Sequence, residues 1–334
     1  MKYKVSIVIP VYNVNKHIEK CAITLFEQDF ESIEYVFVND FTPDNSMEIL
    51  SEVISRYPNR KNDIKVITHE SNQGTGITRY DGVTASCCEY IIQIDSDDWI
   101  ELDMISSLYK KAVEMNADIV VCDYFENYPN REIYITQPYI GSKSKNIILN
   151  QEQTIKKLLL GEVHGSVWHK FVSRNIYKKI KFPEFSYLED KYISLQLFYF
   201  ADKILYFNKA FLHYNQTNIS AITHTLFSDK NLLDVKKYSD NVINFLKEKS
   251  LYENLIKYHY MGVLYIILIT SYNKTLETNK NICPKAYKLK YIWKNKNFNI
   301  KSKIALSLKF FNMNFIYKIL VQINRKIKSI FNYV

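Results

Sequence analysis

The sequence predicts an α/β fold, a mostly parallel sheet flanked by helices, followed by a separate helical region. Three observations carry this. Short runs rich in Val, Ile and Tyr alternate with amphipathic stretches through the first half of the chain, and helix-length crossovers between strands give parallel sheets. From Asp229 onward the apolar period is helical. Charge divides the same way: residues 281–334 hold twelve basic residues and no acid, so the preceding 280 residues sum to about −3 against a total of +9. With 334 residues, 47% of them apolar, the chain can bury more than one core.

The candidate buried strands are Val5–Tyr12, Ile33–Asn39, Ile64–Thr68, Glu89–Asp95 and Ile119–Asp123. Between the second and third, Asp44–Tyr57 reads as a helix, with Ile49, Leu50, Val53, Ile54 and Tyr57 on one face and Asp44 placed to cap its start. Ligands of such sheets sit beyond the carboxyl ends of the strands, so the chain after Tyr12, Asn39, Thr68 and Ile94 is where chemistry is expected. Residues 125–165 lose the alternation and read as a looped insertion or edge strands beside that site. Leu232, Leu233, Val235, Val242, Phe245 and Leu246 then mark a helical face. The expected division is an α/β domain over residues 1–225 and a helical, basic region over 226–334.

Five cysteines without a C-x-x-C pair fit a reducing cytoplasm better than a disulfide framework. No H-E-x-x-H or closely spaced histidine pair supports zinc. The first apolar run is too brief for a signal peptide. The apolar stretch Met261–Thr270 falls short of the roughly 20 residues that span a bilayer. The localised charge argues against a nucleic-acid binder.

Only seven glycines occur, and Gly74, Gly76 and Gly82 fall together in NQGTGITRYDGV. A G-x-G-x-x-G dinucleotide loop is excluded, since Arg79 stands at the third position and the run follows the third strand. Arg79 lies just inside an expected helix start, a place suited to phosphate oxygens. The fourth strand runs into Asp95, Ser96, Asp97 and Asp98, whose mutual repulsion a hard divalent cation would relieve. Alone, each of these reads equally as turn chemistry, as do Asn39-Asp40 after the second strand. Glu189-Asp190 precedes an expected amphipathic helix with Ile193, Leu195, Leu197 and Phe198; the pair suits either a helix N-terminal turn or a general base. Trp168-His169-Lys170 and His213-Tyr214 read as core aromatics with satisfied histidines. His17 and His69 receive no role.

Taken in order, VSIVIPVYN at 5–13, VFVNDFTPDNS at 36–46, NQGTGITRYDGV at 72–83, EYIIQIDSDDWIELD at 89–103, Trp168 with Lys170, and LED at 188–190 resemble the successive signatures of inverting family-2 glycosyltransferases of the GT-A fold. The likeness runs over about residues 1–225. It implies a nucleotide-sugar donor, a divalent metal (Mn or Mg) and a glycan or lipid-linked glycan acceptor. It further implies that Val11 and Tyr12, next to Pro10, border the nucleobase, that Asp40 bonds a uracil edge, and that Arg79 helps fix the nucleotide. Asp95 would face the ribose beside Ser96, Asp97 would be the principal metal ligand, Asp190 the base on the acceptor hydroxyl, and Trp168 a wall on the acceptor side. Two departures stand out. Asn39-Asp40 replaces a pair of acids and Phe41-Thr42 a Gly-Ser; Thr78-Arg79-Tyr80 lacks the Asn that follows Arg in the family pattern.

The expectation is a cytoplasmic, metal-dependent inverting glycosyltransferase that uses a nucleotide-sugar, a UDP-sugar, to extend an acceptor glycan in surface polysaccharide or oligosaccharide assembly. The rivals are a sugar nucleotidyltransferase, which needs a Gly-rich loop where Val11-Tyr12-Asn13 stands, and a non-catalytic sugar-nucleotide or glycan binder, which could dispense with Asp190. In the tail, Lys301, Lys303, Lys309, Lys318, Arg325, Lys326 and Lys328 flank apolar residues, the composition of a helix at an anionic membrane surface; a helical bundle with a solvated basic face is the alternative.

Overall fold

The computed structural model describes residues 3–137, 146–218, 229–270 and 276–313. The chain divides into two compact units, one of residues 1–158 and 163–224 and one of residues 159–162 and 225–334.

The first unit is built on a ten-stranded sheet. Its opening is strictly alternating: β1 (Val5–Val11), α1 (Ile18–Phe26), β2 (Ile33–Asn39), α2 (Ser46–Arg56), β3 (Ile64–Thr68), α3 (Thr75–Ala85) and β4 (Tyr90–Gln93). There follow β5 (Trp99–Ile100), α4 (Met104–Met115), β6 (Ile119–Tyr128), β7 (Arg131–Ile135), β8 (Asn146–Ile148), α5 (Gln151–Leu160), β9 (Lys170–Ser173), α6 (Arg174–Tyr177), α7 (Glu189–Phe200) and β10 (Ile204–Asn215). The sheet order is β3-β2-β1-β4-β9-β6-β10-β5, with β7 on β6 and β8 on β10. β1, β2, β3 and β4 are parallel to one another, and β10 is parallel to β6. β9 enters antiparallel between β4 and β6.

Both faces of β1 and β2 are buried, which is why they read as nearly continuous apolar runs, interrupted by the buried Ser6 and Glu34. Ile7, Ile9, Tyr35, Phe37 and Ile92 pack with α1 and α4 residues such as Ile18, Leu25, Ile105 and Leu108 in one core. Gly82 lets α3 lie close on the sheet: a Cβ there would sit 2.3 Å from Val8 Cγ1.

Of the region from 125 to 165, the described residues give the end of β6, the edge strands β7 and β8, and α5, a helix not foreseen. α2 begins at Ser46, and Asp44 helps to cap that start: its carboxylate accepts from Ser46 N at 3.2 Å, as well as from Asn15 N at 2.9 Å and Thr42 Oγ1 at 2.7 Å. Another expectation is corrected. α7 is not amphipathic: from Lys191 to Phe198 it is buried on every side.

The second unit contains α8 (Asp229–Glu248), α9 (Tyr252–Thr270), α10 (Leu276–Ile282), α11 (Lys290–Lys294) and α12 (Ile300–Phe310). Leu232, Val235, Val242, Phe245 and Leu246 are buried as the period predicts, while Leu233 is 53% exposed. Among the described residues, no helix is long and apolar enough to cross a membrane. Lys318, Arg325, Lys326 and Lys328 lie outside the described residues.

Candidate active site

The register of the parallel strands fixes where the site lies. Val11 pairs with Asn39 and Asn39 with Thr68, while Val8 pairs with Gln93. The chain therefore leaves β1, β2, β3 and β4 along one edge of the sheet, carrying Tyr12, Asp40, His69 and the acidic turn 95–98 together. Pro10 and Val11 form the floor there, and Tyr12 is 46% exposed.

The loops after β1 and β2 are tied to each other: Asn13 N donates to Thr42 Oγ1 at 2.8 Å and Asp40 N to Val11 O at 3.0 Å. Asn13 and Phe41 both take φ of +55°, the left-handed region. Asp40 is 3% exposed. Its carboxylate accepts from Gln73 N at 2.7 Å and Gly74 N at 2.9 Å. His69 Nδ1 lies 2.8 Å from the same group, and His69 Nε2 is 3.1 Å from Asp81. Asp40 thus clamps the glycine loop that opens α3. Gly74 turns there at φ +85°, and at Gly76 a Cβ would stand 2.2 Å from Pro183 O, so only glycine admits that close pass.

Arg79 does not face outward. It is 2% exposed, and its guanidinium is spent on carboxylates: Nη2 donates to Asp95 at 2.7 Å, and Nε lies 3.3 Å from Asp190 and 3.6 Å from Glu189. The resemblance implies that Arg79 helps fix the nucleotide; buried among three acids, it holds those acids in place. Leu188, directly before the pair, takes φ of +72°, strain that brings Glu189 and Asp190 to Arg79 at the start of α7. Burial and the charge of Asp190 push the Glu189 carboxyl well above the usual range. Burial also raises that of Asp190, with Arg79 opposing. The Asp190 side chain is 21% exposed against 9% for Glu189, and its Oδ1 is buried without a hydrogen bond, so the accessible oxygen is Oδ2.

Asp95, Ser96, Asp97 and Asp98 follow β4. Ser96 is buried. Burial, then the charge of Asp95, pushes the Asp97 carboxyl up to about 6. Its Oδ2 accepts from Asn218 Nδ2 at 2.7 Å. Asp98 is buried, accepts from Asn215 N at 2.8 Å through Oδ1, and leaves Oδ2 without a partner. Arg79 neutralises only Asp95 of these three carboxylates, and with one orphaned buried oxygen on Asp98 the turn is where a hard divalent cation of the Mn or Mg kind could be held.

Trp168 is 2% exposed and packs edge-on against Tyr124 at 4.7 Å between centroids. Its expected place on an acceptor surface is corrected: the ring belongs to the core behind the site. Lys170 is fully buried, donates to the carbonyls of Ser166 and His164, and lies 3.2 Å from His169 Nε2. Burial drives its pKa down to about 7.

Four residues of this edge were not singled out by the sequence for it: His69, Gln93, Asn215 and Asn218. Gln93 Oε1 accepts from Arg79 at 3.4 Å. Asn215 also donates through its side chain to Asp97 O at 3.1 Å and lies 3.2 Å from His17 Nδ1. The sequence carries no distinct signal for the last pair, two Asn spaced by Gln216 and Thr217 at the end of β10.

The profile "Glycosyl transferase family 2" matches residues 6–181. EpsH of Bacillus subtilis, named as a glycosyltransferase, is 32% identical over 219 residues, 63% of this chain and 60% of EpsH. Glycosyltransferase GlyA of Streptococcus pneumoniae is 30% identical over 63% of this chain, which spans 30% of GlyA. The chain therefore covers less than two thirds of either relative. Among solved structures, S. aureus TarS 1–349 in complex with UDP-GlcNAc superposes with a TM-score of 0.67 at 18% identity, over 96% of this chain and 92% of that one, a likeness of fold. With a family profile over more than half its length and the sheet edge that family's motifs require, the chain belongs to glycosyl transferase family 2.

Proposed function

We propose that the chain transfers a sugar from a nucleotide-sugar, UDP-linked in this reading, to a hydroxyl of an acceptor glycan, with inversion, in surface polysaccharide or oligosaccharide assembly. The observation that carries this is Arg79 between Asp95 and Asp190, at 2.7 and 3.3 Å. It joins the acid at the end of β4, on the donor side, to an acid at the start of α7 suited to activate an acceptor. In a single displacement the acceptor oxygen attacks the anomeric carbon as its proton passes to Asp190 Oδ2. The bond to the diphosphate breaks, and its electron pair leaves with the phosphate oxygen. A carboxyl raised by burial holds a proton more readily at neutral pH, as a general base should. Arg79 keeps that group ionised beforehand and fixes Oδ1, leaving Oδ2 to the substrate.

Tyr12 and Asp40 border the nucleobase in this reading, with Pro10, Val11 and Ser96 shaping the floor. Asp97, flanked by Asp95 and Asp98, would hold a divalent cation, Mn or Mg, which when bound neutralises charge on the departing diphosphate. The UDP-GlcNAc seen in TarS supports a UDP-sugar donor. The enzyme would work in the cytoplasm, peripherally at the inner face of the membrane beside a lipid-linked acceptor. Supporting this, Ile300, Ile304, Phe311 and Met313 are exposed on and after α12, which also bears Lys301, Lys303 and Lys309.

Asp190→Asn is the test. It removes one of three acids around one arginine, so the melting temperature should hold or rise, while transfer of sugar from UDP-sugar, read as UDP release, falls by about 10²–10⁴. Loss of folding with activity, or wild-type turnover, would overturn the assignment.

A further inference from the structure

The first strands start at the edge of the sheet opposite the site, where the proposed reaction asks for nothing. At that edge Glu34, one residue into β2, meets Cys87 and Cys88 of the α3–β4 connection, with one ligand atom from each lying within 4.8 Å of the others. Glu34 and Cys88 are each 1% exposed, whereas Cys87 is exposed. Consecutive side chains in an extended chain diverge. Here both turn to one carboxylate, with Cys87 Sγ 3.5 Å from Glu34 Oε1 and Cys88 Sγ 3.7 Å from Oε2. Ser6 Oγ and Cys87 N also donate to Oε2, at 2.7 and 3.2 Å. Lys65 Nζ, on a half-exposed side chain, lies 2.5 Å from Oε1 and also donates to Ala85 O.

We propose that Glu34, Cys87 and Cys88 form a binding site for a thiophilic divalent cation of the zinc class, with solvent at the fourth position. Two sulfurs and one carboxylate oxygen are a donor set that Zn²⁺ takes at about 2.0–2.3 Å. Tetrahedral ligands at those lengths are roughly 3.3–3.8 Å apart, a contraction that the exposed Cys87 can supply. Binding breaks two S–H bonds and forms two sulfur–metal bonds. Two protons go to solvent, and no oxidant or reductant is needed. Lys65 swings from Oε1 into water, where half of it already lies.

The experiment uses the full chain carrying Asp97→Ala, so that the acidic turn after β4 contributes no metal binding, reduced and stripped with chelator. Co²⁺ is the probe. One equivalent should give a sulfur-to-cobalt charge-transfer band, Zn²⁺ should displace it, and titration in buffers of different ionisation enthalpy should show two protons released. Cys87→Ser, at an exposed position that leaves the fold intact, should lose the band and at least tenfold in affinity; Glu34→Gln should weaken binding and keep the band. No band, or a band unchanged in Cys87→Ser, would overturn the site. UDP binding by the parent protein is unaffected by either result.

Discussion

Arg79→Lys is the most discriminating perturbation of the site. The guanidinium reaches Asp95 at 2.7 Å and Asp190 at 3.3 Å from different nitrogens, and at an effective dielectric of about 20 such contacts are worth roughly 5–6 kcal/mol each before desolvation. Desolvation of the buried groups cancels much of that, and deleting one partner of a buried pair costs about 3–5 kcal/mol. Arg79→Ala would therefore threaten the fold. Lysine keeps a single charge but cannot span two acids, so a smaller loss is expected, on the order of 1–3 kcal/mol, seen as a fall of several degrees in melting temperature. The functional consequence has a definite sign. Burial raises the Asp190 carboxyl and Arg79 opposes that rise; with the opposition weakened, Asp190 holds its proton to higher pH. The acid limb of the kcat profile should then move upward, and turnover at neutral pH should fall more than at alkaline pH. An Arg79→Lys protein that melts lower yet keeps the wild-type profile would refute the link from Arg79 to the base. Unchanged melting would refute the burial argument itself.

Asp97→Ala should remove the divalent dependence of UDP binding and abolish transfer with little change in melting; wild-type turnover in chelator would deny the metal role. Asp40→Ala leaves Gln73 N and Gly74 N unpaired, costing about 1–3 kcal/mol, and should weaken UDP binding without altering its metal requirement. Equal affinity of the parent protein for UDP and GDP in calorimetry would deny a uracil site. Truncation near residue 283 should abolish co-sedimentation with anionic vesicles, since lysines near such a surface are worth about 1 kcal/mol each; equal pelleting of the truncated chain would show that the tail is not the anchor.

The alternation of strands and helices was legible because β1 and β2 are buried on both faces and carry nearly continuous apolar runs, interrupted by Ser6 and Glu34. β9 and β10 were not, because Lys170 in β9 and Asn208, Lys209 and His213 in β10 break that signature, and their insertion into the sheet depends on pairing between strands far apart in the chain. The same limit applies to side-chain roles. That Asp40, Asp95 and Asp190 share one edge follows from strand order and the motif sequence. That Arg79 is buried among them does not, since a helix start looks the same in sequence whether its arginine faces solvent or three acids. His69 was passed over because a lone histidine carries no partner in sequence; Asp40 becomes its partner through the β2–β3 register and Asp81 through the return of α3.

The departures of this chain from its family's pattern become intelligible at the same edge. Where two acids are usual after β2, Asn39 Oδ1 accepts from Thr42 N at 2.9 Å, a turn bond that an amide oxygen makes as well as a carboxylate. The first acid of the pair can thus be replaced without loss of the turn, and one negative charge leaves an edge already crowded with acids. The second cannot be replaced so freely, because Asp40 accepts two backbone N–H groups and faces His69. Phe41 occupies the left-handed conformation that glycine takes at no steric cost, held there by the bonds on either side, with its ring 57% exposed. Tyr80, in place of the Asn after Arg79, is half exposed and meets Phe182 edge-on at 5.7 Å. All three changes sit on the rim, where the backbone frame tolerates them. Beneath them Arg79, Asp95 and Asp190 are locked to one another by charge, while Asp40 is held separately by Gln73 N, Gly74 N and His69.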